Sequence, residues 1–173
     1  PFGDGGTKMA WNTFNVVSIY PNGNPVMSDV NQRWVGDCCA CAVIASMAYL
    51  YPRFVKHIIK DNMDKTYTVT MYDPKGKQIS VGVGGDYFIG NSGDLGALGG
   101  RNKEVTWATI LEKAMIKWNQ IYQGSSNVGG IGTEYVSAIF TGDGESVGFG
   151  ANALIAEDLQ RAVEVSLKQG RLV

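Results

Sequence analysis

Apolar and polar residues run together, alternate or recur in stripes along this chain, and each pattern predicts a different element. Residues 38–49 are apolar almost without a break, with only Ser46 intervening. Such a run is too long for a typical strand and too short to cross a bilayer, so it predicts a fully buried helix. Residues 102–122 differ. There Trp107, Ile110, Leu111, Ala114, Met115, Trp118 and Ile121 recur at three- and four-residue steps, which predicts a helix with one core-facing stripe. Pro52 suits a helix's first turn and opens a helix reaching to about residue 61, with Phe54, Val55, Ile58 and Ile59 on its apolar side. Residues 133–140 read as a short helix, with Glu134 near its positive N-terminal end. Residues 153–169 predict a closing helix that turns Leu154, Leu159, Ala162, Val163 and Leu167 inward, with Gly170 as its stop.

Period-2 alternation marks residues 66–71 and 77–83, on either side of Asp73-Pro74-Lys75-Gly76. Proline presets φ and glycine takes the left-handed position, so this stretch predicts a β-hairpin. Residues 12–20 alternate weakly, as a short strand or an extended wrap, and residues 1–10 read as a loose arm. Residues 82–100 are glycine-rich and hold no periodic element, although Tyr87-Phe88-Ile89 has the character of a packing segment. These patterns predict an α+β chain, mainly helical around a buried central helix, with one small hairpin.

Length and charge narrow the classes. At 173 residues the chain fits a single domain that buries about 70% of its unfolded surface. Charged residues make up 18% and the net charge is -1, so nothing attracts nucleic acid or an anionic membrane electrostatically. No apolar run reaches transmembrane length and no signal-peptide pattern is present. The chain begins at Pro1 rather than methionine, as a mature or excised piece would. The glycines match no phosphate-binding motif.

Chemistry concentrates at the start of the apolar run. Asp37 is a good N-cap residue, its carboxylate expected to accept a first-turn N–H. Cys38 follows in that first turn, where unpaired N–H groups and the helix dipole favour a thiolate. Gln32 lies six positions earlier, far enough for a turn to bring its amide back toward the thiol. The same three cysteines also read as small core residues. Cys38 and Cys41 form C-x-x-C at a helix start, as in thiol redox proteins, but without a clear βαβ context. Zinc lacks a second cysteine pair, and the sole histidine, His57, sits beside Lys56 off the apolar stripe, as a solvated residue would.

The wider string resembles a known family. Gln32, Gly36, Asp37 and Cys38 reproduce the Q-x-x-x-G-D-C pattern of the calpain family, a branch of the papain-like cysteine proteases. Trp107 with Leu111-Glu112-Lys113-Ala114 is similar to that family's W-x-x-L-L-E-K-A helix. Tyr122, Gly129-Gly130, Glu134 and Phe140-Thr141-Gly142 resemble the segment after it. The matches keep the family's order from about Asn22 onward and cover the first, nucleophile-bearing lobe only. Trp directly after the nucleophile is usual in the family, whereas this chain has Cys39.

The resemblance implies the Cys lobe of a papain-like endopeptidase acting on protein or peptide substrates. Cys38 would be the nucleophile, Gln32 and the Cys38 N–H the oxyanion hole, and Gly129 and Gly130 partners of the substrate backbone. The general-acid histidine and its asparagine belong to a second lobe, which begins after a segment resembling residues 168–173. That lobe is expected on a second polypeptide, such as the other product of precursor processing. A non-catalytic calpain-like interaction module is the main alternative. The resemblance also implies a possible calcium site at Asp29 and Glu104, with carbonyls near Asn22 and Asn24, and no required cofactor. Glu104 stands one residue further from Trp107 than in the family pattern. For a processed bacterial-type member, the implied setting is secreted or cell-surface.

Overall fold

The computed structural model describes residues 9–171 other than 15, 17, 91, 92 and 144–155. It is α+β, as the patterns predict. The hairpin joins β3 (Tyr67–Tyr72) to β4 (Gln78–Val83), with Val69 opposite Val81 and Met71 opposite Ile79. Tyr67, Val69 and Met71 point inward because side chains alternate along a strand. The turn is tied by Asp73, whose Oδ1 accepts the N–H of Lys75 at 2.8 Å and of Lys77 at 2.9 Å, while Gly76 adopts φ +75°.

Three elements depart from expectation, each through pairing with another strand. The helix that opens at Pro52, α2, ends at Ile58 rather than near 61, because β2 (Ile59–Asp61) pairs with β3 in antiparallel register. Ile58 and Ile59 are β-branched, and the ladder decides between their weak local preferences. The glycine-rich stretch holds β5 (Asp86–Gly90), which pairs with β1 (Met9–Thr13), a strand that begins in the expected arm and ends at the start of the weakly alternating 12–20 stretch. Trp11 stacks on Phe88 at 3.7 Å between ring centroids. Tyr87 and Phe88 are both buried, so this strand has no period-2 signature.

The wholly buried helix is not the one at Cys38. The helix α1 (Cys38–Leu50) buries Ala40, Val43, Ile44, Met47 and Ala48 on one face and exposes Ala42 and Tyr49 on the other. Apolar residues all round left no polar stripe to mark its outward side. Instead α3 (Trp107–Gln123) runs through the core, with every residue from Trp107 to Ile116 buried. It starts at Trp107 and not near 102, because Thr106 takes an extended conformation and its N–H donates to Thr109 Oγ1 at 2.9 Å. The helix α4 (Thr133–Thr141) packs Val136, Ile139 and Phe140 between α1 and β3.

The last helix also differs. Described from Ala156 to Lys168, α5 buries no residue, and Leu159 and Leu167 are exposed. Ala162 and Val163 are half-buried, while Leu154 lies outside the described residues. Its C-terminal turn is held by Tyr51, whose hydroxyl donates to the Gly170 carbonyl.

Candidate active site

The loop entering α1 is fixed by backbone bonds to a second loop, between β5 and α3. Asn31 and Gly99 exchange N–H···O bonds at 3.0 and 3.2 Å, and Trp34 N–H donates to Gly96 O at 3.0 Å. Arg33 Nη2 donates to Gly100 O at 2.6 Å. Val35 is buried beneath the loop, so the residues on either side of it are held while Gly36 and Cys38 face solvent. Cys38 is the exposed member of the three free thiols, and Cys39 and Cys41 are half-buried.

Asp37 does not cap α1 in the expected manner, for its side chain accepts no first-turn N–H. The carboxylate turns into the protein instead, where Oδ1 accepts the Cys41 thiol at 3.6 Å. Its carbonyl accepts the Cys41 N–H at 3.0 Å. Burial pushes the Asp37 carboxyl up, against hydrogen bonding from Glu112, Cys41 and Gln32. Burial likewise raises the Cys41 thiol, and the carboxylates of Asp37 and Glu112 add to it. For Cys39 burial comes first, followed by the Cys38 thiol and the charges of Glu134 and Asp37. No disulfide joins Cys38 to Cys41.

Gln32 stands in the anchored loop with its Nε2 donating to Val35 O at 2.9 Å. The Gly129-Gly130 segment passes against the same loop. A Cβ on Gly129 would stand 3.3 Å from the Gly36 carbonyl and 3.1 Å from Asn127 Oδ1, a tight fit that its neighbours would have to relieve by a few tenths of an ångström. Gly130 has φ +77° with open space around it. Asn119 of α3 fixes this segment, its Nδ2 donating to Ser125 O at 2.8 Å and Asn127 O at 2.9 Å. The structure therefore brings the Gly129 loop against the residues leading to Cys38. His57 is elsewhere, exposed in the last turn of α2. Between it and Cys38 lies the full length of α1, roughly 18 Å at 1.5 Å per residue, with α2 then leaving at 113°.

Asp29 and Glu104 are placed differently from the calcium ligands that the resemblance implies. Asp29 is buried, Oδ1 accepting from Asn22 Nδ2 at 2.7 Å and Oδ2 from Trp107 Nε1 at 2.7 Å and Val26 N at 3.2 Å. Three donors occupy the two oxygens, and the Asp29 carbonyl accepts Thr106 Oγ1 at 3.2 Å. As arranged, Asp29 does not fit a cation ligand, although Glu104 Oε2 is buried without a partner. Among the described residues no cluster of three or more His, Cys, Asp or Glu side chains fits a metal. Asp29 clamps the short turn Met27–Asp29 to the start of α3. Asp29→Ala should lower unfolding stability by about 3 kcal/mol, because Trp107 Nε1 is left buried and unpaired. Urea denaturation measures this, and a change within error would remove the clamp from the account.

Two functional-looking groups were less legible. Glu112 and Lys113 are charged yet buried, at 1% and 3% exposure, inside an otherwise apolar stretch of α3. Lys113 Nζ donates to Gly84 O at 3.0 Å and Asp86 Oδ1 at 2.7 Å and faces the Trp11 ring, which ties β5 and β1 to the core. Glu112 reaches the opposite way, toward Asp37. Two charges in the middle of a buried stripe were the available signal.

No curated protein matches the chain. The family model described as calpain family cysteine protease matches residues 11–172. That match spans nearly the whole of the α+β unit, the thiol-bearing helix and the loops packed around its mouth. The chain belongs to the calpain family of cysteine proteases.

Proposed function

We propose that this cysteine peptidase uses Cys38 as its nucleophile and takes its imidazole from outside the 173-residue chain. The observation that carries the reading is the convergence of an exposed thiol at the mouth of α1 with the Gln32 loop and Gly129. In the acylation step the Cys38 thiolate adds to the peptide carbonyl carbon. The resulting oxyanion accepts hydrogen bonds from the Cys38 N–H and the Gln32 amide. Gln32 Nε2 donates to Val35 O and its amide also bonds the Asp37 side chain, so donation to the oxyanion exchanges one of these bonds for the new one. The C–N bond then breaks, the leaving amine takes a proton from an imidazolium, and water hydrolyses the thioester. Exposed backbone at Gly129 and Gly130 suits pairing with an extended protein or peptide substrate.

The imidazole is the part that this chain does not supply near Cys38. Its one histidine is exposed at the far end of the α1–α2 pair. A second lobe or polypeptide bearing His and Asn completes the site, and the substrate lies in the cleft between the two. The non-catalytic module is the reading that remains if no such partner restores hydrolysis.

Limited iodoacetamide treatment near neutral pH, followed by peptide mapping, tests the nucleophile. Cys38 should label at least about tenfold faster than Cys41, since one unit of raised thiol pKa removes tenfold of the thiolate. Cys39 should also lag, being half-buried with a raised pKa. Faster labelling of Cys39 or Cys41 would sink the assignment.

A further inference from the structure

Behind the thiol lies a pair of acids that the reaction as described does not use. Asp37, at 2% exposure, and Glu112, at 1%, are in hydrogen-bond contact between the mouth of α1 and the core helix α3. Two ionised carboxylates cannot hydrogen-bond each other, since each offers only acceptors. Glu112 Oε1 and Oε2 both receive the Leu98 N–H, at 3.1 and 3.0 Å, and Asp37 Oδ1 receives the Cys41 thiol. Asp37 Oδ2 is buried with no donor at all. No cation neutralises the pair either, because neighbouring Lys113 is committed to Asp86 and the Gly84 carbonyl.

We propose that Glu112 is a positioning residue for the nucleophile: it keeps a proton, donates it to Asp37 Oδ2, and the single-proton pair holds the Asp37–Cys38 peptide in place. This rests on the reading of Cys38 as nucleophile. The proton belongs on Glu112 because Asp37 has the better stabilised anion, with the Cys41 thiol and the Gln32 amide as partners. Glu112 has the Leu98 N–H alone. The groups facing the pair are therefore Cys41 and Cys38 from α1, Gln32 from the loop and the Leu98 amide, none of them a cation. Burial and the Asp37 charge hold the Glu112 proton well above the ordinary carboxyl range. Holding Asp37 fixes the peptide whose N–H points from Cys38 to the oxyanion. It also limits the charge behind the thiolate to one unit.

The sign of the pH effect follows. The folded chain binds the Glu112 proton more tightly than the unfolded chain does. Stability from the pair is fully present below the ordinary glutamate value of 4.5 and is lost as pH rises through the folded value.

The test combines a spectrum of the wild-type protein with two variants. Infrared spectra at pH 7 should show the C=O stretch of one undissociated buried carboxylic acid, absent from Glu112→Gln. Glu112→Ala should slow Cys38 alkylation severalfold at neutral pH, and Glu112→Gln, whose amide still donates to Asp37, should restore most of the rate. With rising pH, wild type should lose alkylation rate and melting temperature relative to Glu112→Gln, which has no proton to lose there. A wild-type spectrum without the acid band overturns the shared proton, even if Glu112→Ala does not fold. Parallel pH profiles for wild type and Glu112→Gln overturn the positioning role. If Cys38 resists alkylation in wild type at every pH, the nucleophile reading fails instead, while the spectrum still decides the proton.

Discussion

Adding a separately expressed His- and Asn-bearing lobe of a calpain family protease to this chain is expected to raise peptide hydrolysis by several decades. A nucleophile and its base act as one unit, and losing either member costs up to about 10⁶ in kcat. Here the thiol is exposed at the mouth of α1, while His57 sits in the last turn of α2, past the whole of α1 and a 113° bend. No motion short of unfolding that helix pair brings the imidazole to Cys38. The chain alone should therefore show almost no turnover. Cys38→Ala should remain inactive with the lobe present, which separates complementation from activity carried by the added lobe. Full hydrolysis by the 173-residue chain, with intact mass spectrometry finding no second polypeptide, would overturn the divided site.

Elements that one local signal suffices to set are legible in the sequence. The Asp73-Pro74-Lys75-Gly76 turn set the hairpin register because its loop chemistry and the flanking alternation agree. The stripe from Trp107 to Trp118 identified α3 because 3.6-residue periodicity is a property of the helix itself, but the positions between its members as far as Ile116 are buried too, and Ile121, expected in the stripe, is exposed. Ranges fail where pairing with another strand decides the outcome. Ile59 leaves the helix to pair with Val69, and Trp11 finds Phe88 across most of the N-terminal half. The apolar run at Cys38 predicted its helix but misjudged its burial, since alanines and cysteines mark neither face.

The site was legible as residue types, less so as roles. Gln32, Cys38 and Gly129 carry the family resemblance, and the close approach of Gly129 to the Gly36 carbonyl sets it beside the loop that leads to Cys38. Asp37 has the place of a cap because Asp before a helix is favoured there. The prediction failed because a stronger claim on its carboxylate, from Glu112 and the Cys41 thiol, lies inside the fold. Asp29 shows the same lesson in reverse. Its carboxylate invites a cation, yet Trp107, Asn22 and the Val26 N–H engage both oxygens, two of them from positions a linear reading does not connect.

Gln32→Ala, tested with a separately expressed His- and Asn-bearing calpain family lobe added, is expected to lower kcat by about two to three decades, or about 3 kcal/mol. The side chain is exposed and bonds the Val35 carbonyl and the Asp37 carboxylate, so truncation should cost stability only about 1–2 kcal/mol. That asymmetry makes the experiment diagnostic. A donor aimed at the oxyanion acts when charge develops on the carbonyl oxygen, which moves kcat and leaves KM nearly unchanged. A residue that merely shaped the loop would instead disturb the Asn31–Gly99 and Trp34–Gly96 bonds and change stability along with activity. Gln32→Glu provides the companion variant, since it keeps the length of the side chain but replaces the donor with an acceptor and a negative charge. It should fall at least as far as alanine. Unchanged kcat in Gln32→Ala would return Gln32 to the role of a loop residue, and the second oxyanion donor would have to come from elsewhere.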